Sequence, residues 1–231
     1  MSDFERSLQD AIKESFLAQA DVDVVDGLLA RTRVWAFPAG RDFLNEGTPK
    51  RCGLIVSGLA RVFAVKGDGG HTTIRLVQRG AVVGIRAMVG ESNSLHVRAV
   101  TEIEFVELDP KVVMAAAQSH ASLAWAIALE IGRRMRDTEG VLEAAFNRSV
   151  GQRVASALLD LLVESDNRGV AVSHEGLAEI VGASRESVGR ALRRLDSRGA
   201  IALARRRIAV LDAAHLQTEA VFQKHASDSR R

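Results

Sequence analysis

Cysteine is nearly absent: Cys52 stands alone in 231 residues, which excludes an intramolecular disulfide framework and a cluster held by several thiolates. Cys52 opens the apolar run CGLIVSG, so it reads as a small buried side chain, with a reactive redox thiol as the alternative. No stretch of 18 apolar residues occurs, so a membrane-spanning helix is not expected. The N-terminal residues MSDFERSLQDAIKES are charged throughout, which argues against a signal peptide and leads us to expect a cytoplasmic protein with no membrane partner. His71, His96 and His120 lack the near-neighbour spacing of a metal motif and read as satisfied or exposed histidines, so no bound metal is expected. Nucleophile elbow, P-loop and paired-carboxylate signatures are all missing, and an enzyme is not expected.

What is present is a hydrophobic fraction of 47%, enough for one or two cored domains, and an uneven charge. The total of +2 conceals its distribution: residues 168–231 hold twelve basic and seven acidic residues, and the remainder is net negative. Eight arginines against Glu186 and Asp196 lie between Arg185 and Arg207. Such an asymmetry is the electrostatic footprint of a phosphate-binding surface on one domain.

The segment SHEGLAEIVGASRESVGRALRRL, from Ser173 to Leu195, reads as two short helices joined by a tight turn. Val188, Ala191, Leu192 and Leu195 repeat at helical spacing as an apolar stripe, and Arg185, Glu186, Gly189, Arg190 and Arg193 are placed on the opposite side. Ser184 occupies an N-cap position and Gly182 supplies the permissive turn residue of a helix-turn-helix. The competing reading is an amphipathic surface helix with solvated arginines.

Upstream, RVWAF, LIVSG, ARVFAVKG, HTTIRLVQRG, AVVG, LHVRAV and EIEFVEL read as short strands between glycine-marked turns, the pattern of a barrel or sandwich. From Ser122 to Asn147 no proline interrupts a helical pattern in which Ile127, Ile131, Met135, Thr138, Leu142 and Ala145 step by four and three. Such a seam suits a coiled coil about 39 Å long, or packing within the chain. A second helix is expected from Phe146 to Leu162.

The stretch EIVGASRESVGRALRRL resembles the recognition unit of the CRP/FNR superfamily of bacterial transcription regulators, its cyclic-AMP receptor branch in particular, whose pattern is close to IVGxSRExVGRxLxxL. The pieces FPAGRDFLNEG, LIVSGLARVFAV, the tip at Asp68–Gly70 and RGAVVG resemble the double-stranded β-roll of the same superfamily, so the likeness runs from about residue 15 to about residue 215. The resemblance implies an α+β fold: a cyclic-nucleotide-binding-like β-roll sensor with flanking helices over 1–118, a dimerisation helix over 119–147, and a C-terminal winged helix-turn-helix over 148–231. It implies a homodimer that binds double-stranded DNA at an inverted repeat resembling TGTGA, with RNA polymerase as a further partner. Arg185, Glu186 and Arg190 correspond to the side chains that read base edges, with Ser184 and Ser187 in support. Arginine forks onto guanine O6 and N7, and a carboxylate accepts from cytosine N4. The wing would be Ala200–Leu211, with Arg205, Arg206 and Arg207 at a tip that touches phosphates. A ligand-binding module whose basic region meets protein or RNA is the alternative, and the RExxxR face argues against it.

The chain departs from cyclic-nucleotide binders at the phosphate cassette, here GIRAMVGESNSLHVRAV. Ile85 stands where the glutamate belongs, Asn93-Ser94 where an Arg-Ser pair would neutralise phosphate, and the cassette is shorter by about two residues. Thr138 matches the helix threonine that meets adenine, but its neighbour is Glu139 rather than serine. Ile85, Arg86, Asn93, Ser94 and Thr138 therefore outline an effector pocket in which cyclic AMP is not expected, the cofactor being unknown and another small ligand or none being favoured. Arg86 and Arg98 could each meet an anion or be solvated strand residues.

Overall fold

The computed structural model describes residues 2–30, 32–45, 51–65, 71–91, 94–164, 169–170, 172–204 and 207–221. They form two compact units, one comprising Met1–Gly67 with Ile74–Glu139 and the other Asp68–Thr73 with Gly140–Arg231.

The first unit begins with helix α1, Asp3–Glu14, entered through a capping box in which Ser2 and Glu5 satisfy each other's backbone N–H. A 3-10 turn at Phe16–Gln19 leads to α2, Val22–Leu29. The strands follow: β1 Arg33–Phe37, β2 Asp42–Leu44, β3 Cys52–Ser57, β4 Ala60–Val65, β5 His71–Val77 and β6 Val82–Val83. After the short helix α3, Ile85–Met88, come β7 His96–Ala99 and β8 Ile103–Leu108. Two four-stranded sheets result, ordered β1-β8-β3-β6 and β2-β7-β4-β5, their described pairings all antiparallel.

One residue register sets the core of this roll. Phe105 on β8 pairs with Trp35 on one side and Ile55 on the other, which places its ring among Phe43, Val62 and Val97 of the facing sheet. Gly53 lets β3 and β8 approach, since a Cβ there would collide with the Phe105 ring. Gly84, at φ +77°, is doubly constrained: its backbone disfavours any other residue, and a Cβ would run into the Arg51 carbonyl.

A helix absent from the sequence expectation, α4 at Pro110–Ser119, follows β8; Asp109 caps it and Pro110 sits in its first turn. Helix α5 then runs 27 residues, Ala121–Asn147, about 40 Å. Its N-terminal half buries Leu123, Ala126 and Ile127 against Leu17, Met88, Leu108 and Val113. Ile127 is 5% exposed, so this part of the expected seam is corrected: it belongs to the core of its own chain.

In the second unit the helix expected from Phe146 starts later, α6 being Val150–Glu164. The reason is local: Ser149 Oγ accepts from Gln152 N, and Gln152 Oε1 accepts from Ser149 N, a capping box that ends one helix and begins another. Then come α7 His174–Val181, α8 Arg185–Ser197, strands β9 Ile201–Ala204 and β10 Arg207–Val210, and α9 Ala213–Val221. Val170 joins the β9–β10 ribbon by a reciprocal pair of backbone bonds to Ile208. Leu158, Leu177, Val188, Leu192, Leu195 and Leu216 are buried in this helix-and-ribbon core. The chain thus comprises a β-roll, a long helix and a C-terminal winged helix-turn-helix.

Candidate functional site

The turn between α7 and α8 is built by three residues. Ser173 Oγ accepts from Gly176 N to start α7, and Gly182 ends it at φ 64°, the left-handed conformation glycine takes most readily. Ser184 Oγ then accepts from Ser187 N to start α8, a cap contributing about 1 kcal/mol. Arg153 of α6 fixes the turn by donating from Nε to the Val181 carbonyl at 3.0 Å.

On α8 the buried face is Val188, Gly189, Leu192 and Leu195. Gly189, expected on the outer side, is thus a buried position; a Cβ there would meet nothing closer than Arg193 Nη1 at 3.6 Å. Arg185, Glu186 and Arg190 are exposed, as is Ser184. Glu186 and Arg190 form an i,i+4 ion pair, and Arg190 Nη2 also donates to Ser187 Oγ at 3.0 Å. The pair holds both side chains one above the other on the outer face. Arg185 and Arg193 make no hydrogen bond or ion pair among the described residues.

Not every arginine of the basic cluster is available. Arg194 and Arg198 both reach Glu219 of α9, at 2.9 and 3.0 Å, and tie the end of α8 to the last helix. Of the expected wing, β9 and β10 form the antiparallel ribbon with Arg207 paired to Ala204. Arg205 and Arg206 lie outside the described residues.

Helix α5 presents a different surface. Trp125 is 66% exposed, Met135 65%, Leu142 55% and Ile131 40%. With Ala128 and Thr138 these residues step by three and four along the helix, so the outward stripe enters at Trp125 rather than Ile127. The side chain of Ala145 lies outside the described residues, and Thr138 is exposed, with Oγ1 donating to the Arg134 carbonyl at 3.0 Å.

In the β-roll a cavity of about 390 Å³ gathers four of the expected pocket residues, Ile85, Arg86, Ser94 and Thr138. Asn93 lies outside the described residues. Arg86 is already engaged, donating to Ser94 Oγ at 2.7 Å and pairing with Glu91 at 2.8 Å. Arg98 is not in the cavity; it forms a two-bond pair with Asp42 and stacks over Phe63, so its anion is internal. Sequence reasoning missed two arginines in the wall, Arg75 on β5 and Arg134 on α5. Arg134 donates to Glu130 and to the Val82 carbonyl. Burial alone would raise the Glu130 carboxyl, but hydrogen bonds from Arg133 and the charge of Arg134 reverse this and hold it below the ordinary carboxylate range. Arg75 makes no hydrogen bond or ion pair among the described residues, and its Nε is buried. Burial, with the positive charge of Arg134 beside it and only partly offset by the carboxylates of Asp137 and Glu130, pulls Arg75 down to about 10.

Cys52 is fully buried, with Sγ donating to the Leu108 carbonyl, and burial pushes its thiol up to about 12. Among the described residues no cluster of histidine, cysteine or carboxylate side chains could hold a metal ion. No single helix among them is long and apolar enough to cross a membrane.

Two family models match parts of the chain. Residues 152–219 match the Crp-like helix-turn-helix domain, and residues 34–120 match the cyclic nucleotide-binding domain. The transcriptional regulator LdrP of Thermus thermophilus is 34% identical over 172 residues, 72% of this chain and 85% of that protein. The cyclic AMP receptor protein of Thermus thermophilus is 28% identical over 203 residues, 87% of this chain and 93% of that one. Among solved structures, a CRP-family transcriptional regulator of Thermus thermophilus is 30% identical and superposes with a TM-score of 0.69, covering 80% of this chain and 96% of that one.

Proposed function

This chain belongs to the CRP/FNR family of DNA-binding transcription regulators, and from that premise we propose that it acts as a homodimer reading an inverted repeat with TGTGA-like half-sites. The observation that carries the reading is the outer face of α8, where Arg185, Glu186 and Arg190 are exposed and held in order by the Ser184 cap while Val188, Leu192 and Leu195 anchor the opposite side. In the major groove the arginines fork onto guanines and Glu186 accepts from a cytosine amine; Ser184 and Ser187 steady the helix start against a phosphate. Arg206 at the wing tip contacts the backbone.

The working division is a sensor over 1–118, a dimerisation helix over 119–147 and a reader over 148–231. Two copies pair along the outward stripe of α5, through Trp125, Met135 and Leu142 with Ile131 at its edge, which matches the two-fold symmetry of the DNA site. RNA polymerase is the partner that a DNA-bound dimer addresses. Cyclic AMP does not control it, because Ile85 replaces the acid that would hold a ribose and Arg86 is committed to Glu91 and Ser94.

Selection from random duplexes tests this. The expected product is an inverted repeat with a GTG-like core in each half and half-site centres about one helical turn, roughly 10–11 base pairs, apart. Recovery of direct repeats, or of sites without that core, would refute the assignment.

A further inference from the structure

The β-roll cavity combines an apolar wall with one cation that makes no hydrogen bond or ion pair among the described residues. Leu44, Val62, Ile74, Val83, Leu95 and Val97 supply most of the surface, and the volume lies at the lower end of small-ligand sites. Its other polar groups are engaged with each other or with backbone: Arg86 with Glu91 and Ser94, Arg134 with Glu130 and the Val82 carbonyl, Thr138 with the Arg134 carbonyl. Arg75 differs. Its side chain belongs to the cavity wall with Nε buried and unbonded; it makes no hydrogen bond or ion pair among the described residues, and only the longer-range charges of Asp137 and Glu130 offset those of Arg134 and Arg133. A desolvated cation without a partner is unfavourable, and an incoming anion removes that penalty.

We infer that the cavity takes a small organic monocarboxylate, its carboxylate paired with Arg75 and its apolar body against the strand residues. The inference rests on the reading of this β-roll as an effector domain and supplies the ligand class for it. A nucleoside body fits poorly, because ribose hydroxyls and base nitrogens would be buried against aliphatic walls without hydrogen-bond partners. Since Ile131, Arg134 and Thr138 of α5 also line the cavity, the ligand touches both a sheet and the long helix.

Calorimetry on the full chain at neutral pH, with sodium carboxylates from acetate to octanoate, the corresponding neutral amides and cyclic AMP, tests the inference. Affinity should rise with chain length, each longer carboxylate should bind at least tenfold tighter than its amide, and cyclic AMP should bind more weakly than octanoate. Arg75→Met should abolish the preference for acid over amide, whereas Arg75→Lys should keep part of it. In the absence of ligand, Arg75→Met should melt about 2–4 °C higher than the parent, because an unpaired buried charge has been removed. The inference is overturned by amides binding as tightly as acids, by cyclic AMP binding tighter than octanoate, or by an Arg75→Met chain that melts lower or does not fold, which would make Arg75 a structural cation. None of these measurements involves DNA, so their failure leaves the regulator reading untouched, and failure of the selection experiment leaves the ligand result standing.

Discussion

Sedimentation of a Met135→Asp variant at micromolar concentration is expected to return a monomer. Met135 is 65% exposed on the isolated chain, so the substitution leaves the fold of the protomer intact. In a dimer paired along α5 the two copies of that position face each other close to the two-fold axis, and each carboxylate would be buried without a partner. An uncompensated buried charge costs about 3–5 kcal/mol, so two of them weaken association by roughly four orders of magnitude or more. Met135→Leu, which preserves volume and polarity, should sediment as the parent does. Ile131 is a less clean position, because it also lines the cavity and its replacement would disturb ligand and dimer together. An intact Met135→Asp dimer would move the interface off this helix.

The second large effect is on DNA. Arg185→Ala and Arg190→Ala should each lose about 1–3 kcal/mol per half-site on the selected operator, and about twice that on the full repeat because both protomers carry the change. Each should also blur the preference at one base pair. Arg190→Ala carries an added burden: it releases Glu186 from its ion pair, leaving a bare carboxylate in a groove flanked by phosphates. Arg206→Ala should instead weaken all sequences alike and reduce the salt slope by about one. Arg194→Ala supplies the contrast within the helix, since its lost contact is Glu219 on α9 and its effect should be on melting temperature rather than on base preference. Quantitative competition against scrambled duplex, repeated over a salt series, measures the first three and the unchanged base preference of Arg194→Ala, whose melting temperature is read separately. Equal, sequence-independent losses from Arg185 and Arg190 would mean that α8 does not enter the groove.

Several elements could be read from the chain because their signals are local. Gly182 and Ser184 mark helix ends within a few residues of the bonds they make, and the helix-turn-helix reading followed from them, while the wing came from the family resemblance. The α4 start was equally local, an Asp109 cap followed by Pro110, and so was the Ser149–Gln152 box that sets the start of α6; the sequence reading used neither signal. Ile127 shows a deeper limit. Apolar spacing places it on a buried stripe but does not say whether the burying partner is the same chain or another copy. Arg75 and Glu219 mark the other boundary. The first sits in a strand where nothing distinguishes an inward arginine from a solvated one, and the second acts on residues more than twenty positions away.

The one thiol in the chain gives the β-roll a clock. Cys52 is sealed in the core between its sheet and the flanking helices, with its sulfur hydrogen-bonded and its proton held far above neutral, so an alkylating reagent finds no thiolate in the closed state. Modification therefore proceeds only at the frequency with which this core opens, and each molecule can be marked once. Mass spectrometry of a timed pulse counts those openings directly, and any compound that settles inside the roll must slow the count.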